Sequence, residues 1–125
     1  MKSCYCGSSL SFDNCCQKYI KGSLKAPTAE ALMRSRYSAF ASTAIDYLIE
    51  TTYHSTRKSL KKQELSLWST SNHWIKLEVL ETTESTVRFK AYYLDKQLVP
   101  HIHHEFSTFI YEEGIWYYEN GAFMD

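Results

Sequence analysis

From residue 17 to residue 125 the chain contains no cysteine, and all four of its thiols stand in "CYCGSSLSFDNCC", residues 4–16. Glycine and proline are nearly as scarce, four and two residues, which argues against long flexible segments. No apolar run approaches the roughly 18 residues that a bilayer span needs. "MKS" before Cys4 offers no apolar leader core, so the expected location is cytoplasmic, away from any membrane. The chain also lacks net charge, but the balance hides a division. Residues 1–62 carry ten Lys/Arg against four Asp/Glu, and residues 63–125 carry four against ten. A dipolar molecule follows, with a basic face suited to an acidic partner. The basic residues are scattered along solvated faces rather than clustered as nucleic acid would require.

What the chain does have is apolar mass. Hydrophobic residues make up 44%, with ten Tyr, six Phe and three Trp, enough for the core of one domain with a small appendage.

Three readings compete for the cysteine-rich opening. Disulfides suit exported small domains, and two bridges within thirteen residues, including the adjacent Cys15 and Cys16, would strain the geometry. Unrelated buried thiols do not explain four cysteines in one short polar stretch. A tetrathiolate zinc site explains the pattern: four soft ligands at about 2.3 Å let a segment too small for a core fold on metal energy. Cys4, Cys6, Cys15 and Cys16 are the expected ligands of one structural Zn²⁺. Gly7, Ser8 and Ser9 would allow the turn whose amides face the sulfurs. Lys2, Lys18 and Lys21 are near enough in sequence to offset the excess negative charge.

Residues 1–22 therefore read as a knuckle, followed by a linker, "KGSLKAP". Thr28 is the expected N-cap of a helix in which Leu32, Met33, Tyr37, Phe40 and Ala41 form one stripe. Thr43 with Asp46 is the expected cap of a second helix, where Ile45, Leu48, Ile49 and Thr52 share a face. Thr56 is expected to cap a third helix that continues through Trp68. After residue 72 the period changes to two. Ile75, Leu77 and Val79 alternate with Lys76 and Glu78, and Val87, Phe89, Ala91 and Tyr93 alternate with Arg88 and Lys90. "HIHHEFSTFIY" and "IWYYENGAF" follow, with a turn at Glu113-Gly114. Short connections predict an antiparallel meander of about four strands covered by three helices, an α+β fold.

Two resemblances sharpen this. The spacing C-x-C-G-S-x6-C-C resembles the SEC-C motif, the zinc-binding module at the C-terminus of the bacterial preprotein translocase motor, which implies Cys4, Cys6, Cys15 and Cys16 as ligands. Gly7, Ser8 and Phe12 match it too. Tyr5 stands in place of the usual proline, and Leu10, Ser11, Asp13 and Asn14 replace the usual lysines that serve partner contacts. Over nearly the whole chain, "LMRSRYSAF", "YLIETTYH", W-x-x-L at 74–77, "HEFSTF" and "WYYENG" resemble the YchJ family. That resemblance implies a nuclear transport factor 2-like (NTF2-like) cone over residues 27–125, three helices packed into a strongly bent antiparallel sheet.

Such cones often enclose a pocket, and some relatives of the fold are isomerases, dehydratases or hydrolases. Arg36, if it turns inward, needs a carboxylate, and Glu105 is the expected partner, either tying helix to sheet or holding a polar ligand. His54 is read as the cap of the second helix, or alternatively as a general base at the cone mouth. His101 and His103 share a strand face and could start a second metal site, to which Glu105 on the same face could add an oxygen, but the sequence indicates no third ligand. The aromatic sheet is an unfavourable platform for bases because its half of the chain is acidic and repels phosphate. The sequence thus predicts a zinc-binding, non-catalytic binding or adaptor protein, with a protein partner through the knuckle and a homodimer through the sheet. The alternative is a small-molecule enzyme using Arg36, His54 and Glu105.

Overall fold

The computed structural model describes residues 2–124. A 3₁₀ turn (η1, Phe12–Asn14) and a short helix (α1, Gln17–Ile20) close the cysteine-rich opening. Helices α2 (Ala29–Ser42), α3 (Ile45–Glu50), α4 (His54–Arg57) and α5 (Lys62–Ser71) follow. Strands β1 (His73–Thr82), β2 (Thr86–Leu94), β3 (Pro100–Glu112) and β4 (Ile115–Phe123) form one antiparallel meander in sequence order. The α+β expectation holds, with helices packed on one face of a single sheet.

Helix α2 begins as its sequence dictates. The Thr28 hydroxyl accepts a hydrogen bond from the Ala31 amide at 3.0 Å, and Glu30 lies in the first turn. Leu32, Met33 and Tyr37 are buried. They pack with Ile45, Tyr47 and Leu48 of α3, Val87, Phe89 and Ala91 of β2, and Phe109 of β3. The strict alternation of β2 puts these apolar side chains on the helix side of the sheet.

Three local expectations are corrected. Thr43 does not cap α3. It ends α2 in a left-handed conformation (φ 61°), its amide directed at the Ala39 and Phe40 carbonyls, and the Ala44 amide donates to Ala39 O at 2.8 Å. The single helix expected from Thr56 to Trp68 is two, α4 and α5. Tertiary bonds interrupt it: the Thr56 hydroxyl donates to Glu119 O on β4 (2.8 Å) instead of accepting from an amide. The Arg57 guanidinium reaches back to Thr52 O and Glu50 O. Finally, Ile75 points outward, 56% exposed. An irregularity between Trp74 and Lys76 shifts the strand's register and turns Trp74 inward, where its indole N–H donates to Ser69 O at 3.0 Å.

Further irregularities, between Val79 and Glu81 and between Thr108 and Phe109, bend the sheet around the helices. The segment after α3 is stitched to β4. Tyr53 N–H donates to Tyr118 O, and Tyr118 N–H donates to Thr51 O, each at 2.8 Å.

Because the Thr28 cap satisfies an amide at the exposed start of the principal helix, Thr28→Ala is expected to cost about 1 kcal/mol. Chemical denaturation should show a lower midpoint at unchanged slope; an unaltered midpoint would remove the cap from the account.

Candidate metal centre and cone cavity

The first site is a tight loop returned on itself. Cys4 N–H donates to Leu10 O and Phe12 N–H to Lys2 O, both at 2.9 Å, with a bridge between Ser3 and Ser11. Gly7 adopts φ +80°, a left-handed turn that glycine takes without steric cost. This turn follows Cys6 directly, while η1 and the start of α1 bring back Cys15 and Cys16. The four Sγ atoms lie within 4.8 Å of one another. Cys6 and Cys15 are 3.7 Å apart, and Cys15 and Cys16 are 3.9 Å apart. A tetrahedron of sulfurs with bonds of about 2.3 Å has edges of about 3.8 Å. None of the four is in a disulfide, and Cys4, Cys6 and Cys16 are buried. The cysteines are positioned to bind a metal ion.

The electrostatics suit a cation. The Cys6 thiol is drawn down to about 4, chiefly by a hydrogen bond from Cys16 and against the effect of burial. Cys16 is pushed up by the same contact and by burial. Metal ligation requires deprotonated sulfurs, so a cation arriving at this cluster would displace protons from it. Ser8 Oγ lies 3.1 Å from Cys15 Sγ, and Ser38 Oγ lies 3.6 Å from Cys4 Sγ.

The basic residue that holds the knuckle is not one of the expected lysines. Lys2 lies over the Tyr5 ring and Lys18 over the Tyr19 ring. Arg34 on α2 donates through Nη1 to Cys6 O at 2.8 Å, while its Nε bonds Glu30 at 2.9 Å. Burial works against its charge, but Glu30 and Cys6 outweigh that and push its pKa up. Its position four residues after Glu30 was the signal available in the sequence; nothing there indicated the reach to Cys6.

The second site is a cavity of about 460 Å³ between helices and sheet. Its walls are apolar, with Met33, Phe40, Trp74, Phe89 and Phe109 prominent, and its polar side chains include Arg36, Tyr37, Thr52, His103, Glu105, Ser107 and Tyr118. Arg36 Nη1 donates to Leu48 O (2.9 Å) and Thr51 Oγ1 (2.7 Å), with Thr52 Oγ1 at 3.3 Å. The guanidinium lies over the Tyr118 ring, 4.4 Å from its centroid. Burial lowers its pKa to about 10, so it stays charged at neutral pH.

Glu105 is buried, and its carboxylate is fully engaged. Oε2 accepts from the Ser107 hydroxyl (2.5 Å) and the Tyr118 hydroxyl (3.1 Å), and His103 Nε2 lies 2.7 Å from Oε1. Burial would raise its pKa, but the bonds from His103, Ser107 and Tyr118 together bring it below the ordinary range. The close approach of β4 makes this possible. A Cβ on Gly121 would lie 2.0 Å from Glu105 Oε2. A glycine within a strand sequence is the recognisable sign of such an approach.

Arg36 and Glu105 therefore share one cavity but form no ion pair within 4 Å; Tyr118 stands between them, stacked on one and bonded to the other. His54 is elsewhere. It opens α4 rather than closing α3, is exposed, packs on Tyr53, and lies 3.4 Å from Glu112. His103 is the imidazole that reaches the cavity. His101 is spent on Asp95 (2.8 Å), so the histidine pair does not converge on a second metal. Among the described residues the four cysteines are the one group placed to hold a metal ion.

A bent antiparallel sheet, helices on its inner face and an N-terminal four-cysteine loop define an NTF2-like cone joined to a SEC-C-type knuckle. Residues 28–121 match the family described as "YchJ, middle NTF2-like domain". The chain belongs to the YchJ-like family, also designated UPF0225. A UPF0225 protein of Streptomyces coelicolor is 38% identical over 129 residues, covering 98% of this chain and 96% of the relative. One from Corynebacterium glutamicum is 40% identical over 127 residues, covering 96% of each. The solution structure of a SEC-C motif containing protein from Rhodopseudomonas palustris superposes with a TM-score of 0.89 at 34% identity, over 98% of both chains. The crystal structure of another, from Psychrobacter arcticus, gives 0.84 at 29% identity, over 100% of this chain and 84% of that one.

Two outcomes follow from the cavity's geometry. Gly121→Ala forces backbone or carboxylate to move, and it should destabilise the fold by roughly 1–3 kcal/mol. Glu105→Gln in the same background should recover little, because the amide fills the same space. A Gly121→Ala protein as stable as the parent would refute the close approach. Since Glu105 has a folded-state pKa below its unfolded value, its contribution is complete above the ordinary glutamate range and is lost as the pH falls through the depressed value. Glu105→Gln should flatten that acid limb of the stability profile, measured by thermal melts between neutral and acidic pH.

Proposed function

We propose that the chain is a zinc-stabilised binding protein: one Zn²⁺ on Cys4, Cys6, Cys15 and Cys16 with a structural role, and a cone whose cavity binds a ligand without transforming it. The observation that carries the metal assignment is the convergence of four sulfurs within 4.8 Å, on three buried cysteines and one half-buried, with the Cys6–Cys15 and Cys15–Cys16 separations of 3.7 and 3.9 Å close to a tetrahedral edge. An all-thiolate donor set favours zinc over oxygen-seeking cations, and four protein ligands leave no coordination position for water. Arg34 and Ser38, both on α2, anchor the knuckle to the cone, so the metal would fix the first twenty residues against the principal helix.

Binding is assigned to the cone because the inner side of the knuckle is covered. Support for a protein partner at the knuckle is confined to its outer loop, where Leu10 is 53% exposed. Catalysis is disfavoured by the state of the polar groups. A general base works best with a pKa near the operating pH and a free lone pair. Glu105 is held ionised with both oxygens engaged, His54 is outside the cavity, and His103, the imidazole that lines it, has its Nε2 committed to Glu105 at 2.7 Å.

Elemental mass spectrometry on untagged protein purified in reductant should return about one zinc per chain. Cys4→Ser and Cys16→Ser should lose it and melt several degrees lower, since the knuckle's folding energy resides in the metal. Protein without zinc, with all four thiols titrating freely and no change in melting on adding zinc, would refute the assignment.

A further inference from the structure

The polar end of the cone cavity is incomplete in one respect. Arg36 is a deep guanidinium with three acceptors gathered on Nη1, while its Nε and Nη2 have no hydrogen-bond partner among the described residues. Every fully enclosed side-chain nitrogen or oxygen among those residues is bonded. The free edge of Arg36 must therefore retain accessible surface, and Arg36 lines the cavity. The charge is also poorly matched. Among the described residues no carboxylate lies within 4 Å of the guanidinium, and the tyrosine ring that covers it is a weaker partner than an anion. Glu105, the one acid lining the cavity among the described residues, directs its oxygens to Ser107, Tyr118 and His103.

We propose that this cavity binds a small organic monocarboxylate with an apolar, ring-bearing body. The acid would sit on the Nε/Nη2 edge of Arg36, and the ring would pack among Phe89, Phe109 and Trp74. A planar fork of two parallel N–H donors matches a carboxylate, and a guanidinium in a dry site gains more from that match than one in water. A cationic ligand would face Arg36 with no free acid to receive it. A neutral one would leave the buried charge without its counter-ion. Aromatic side chains on several walls offer edge and face contacts to a ring, and the volume lies within the range of small-molecule sites.

The proposal rests on the reading of the cone as a ligand-binding cavity, and the experiment separates the two. Phenylacetate and its neutral isostere phenylacetamide are titrated into the full, zinc-loaded chain. Binding is followed by ligand-detected NMR and by the side-chain Nε–H resonance of Arg36. The expected result is a shift of that resonance on adding phenylacetate, with the acid bound roughly tenfold or more tighter than the amide. Arg36→Lys keeps the charge but loses the fork, and it should weaken phenylacetate by a similar factor. Arg36 also ties the end of α3, so the variant is first checked for native melting; if it fails, the resonance of the parent protein decides. Equal affinity for acid and amide, or an Arg36 resonance unmoved while the acid occupies the cavity, overturns acid recognition and leaves the binding reading standing. No binding of either compound at millimolar concentration overturns both.

Discussion

A guanidinium inside a cone of helices and sheet must be stabilised from every side, and much of this molecule is arranged around that requirement. Removing Arg36 from water costs several kcal/mol unless dipoles and charges replace the lost hydration. The C-terminal turn of α3 supplies the first replacement, through Leu48 O and the hydroxyls of Thr51 and Thr52. Tyr118 supplies the second by presenting its ring face. Its hydroxyl passes the requirement on, because donating to Glu105 Oε2 makes the tyrosine more electron-rich and fixes a negative charge beyond it. Glu105 is then itself a buried ion in need of donors, which Ser107 and His103 provide. Its oxygen occupies the space a side chain at 121 would fill, so Gly121 is determined by the same chain of needs. The stitching of residues 51–53 to β4 belongs to this network, since it holds Thr51, Thr52 and Tyr118 at one level.

Much of this was legible in the sequence, and the failures have identifiable causes. The cysteine cluster could be read because metal ligation depends on residue type and spacing, which sequence carries directly. The meander could be read because strand alternation repeats every two residues and its turns are short. Ile75 failed because a single irregularity inverts everything N-terminal to it in that strand, and Trp74 offered no sign of preferring the inside. The third helix failed because Thr56 has a competing acceptor on β4, a partner more than sixty residues away in sequence. For the same reason His54, at the edge of a helical pattern, was a better sequence candidate than His103, although only His103 meets Glu105.

Arg36 and Glu105 show how far such reasoning reaches. That Arg36, if turned inward, would need a carboxylate and that Glu105 was its candidate could be inferred, because a buried charge requires a partner. That they do not touch could not, because the spacing between them is set by a third residue. Tyr118 lies in "WYYENG", where three consecutive aromatic residues give no indication of which one enters. Strand alternation turns Trp116 and Tyr118 to the core side together, and the β3–β4 register sets Tyr118 opposite Phe109.

Helix α2 joins the two sites, and its sequence reflects the double duty. Arg34 and Ser38, four residues apart, lie on the side that meets the knuckle, while Met33, Arg36, Tyr37 and Phe40 face the cavity. A helix buried on two sides has a weak apolar stripe, because small and charged residues must serve as contacts on the second side. Ser35 and Ser38 are accordingly buried, with Ser35 bonded to Leu32 O and Tyr47. In the zinc-bound state proposed above, four thiolates and one divalent ion leave an excess of two negative charges, and Arg34 is the cation that touches the knuckle from the cone. Arg34 and Ser38 thus tie the knuckle to the principal helix of the cone. Any movement of the metal site would be felt by the helix that carries Arg36.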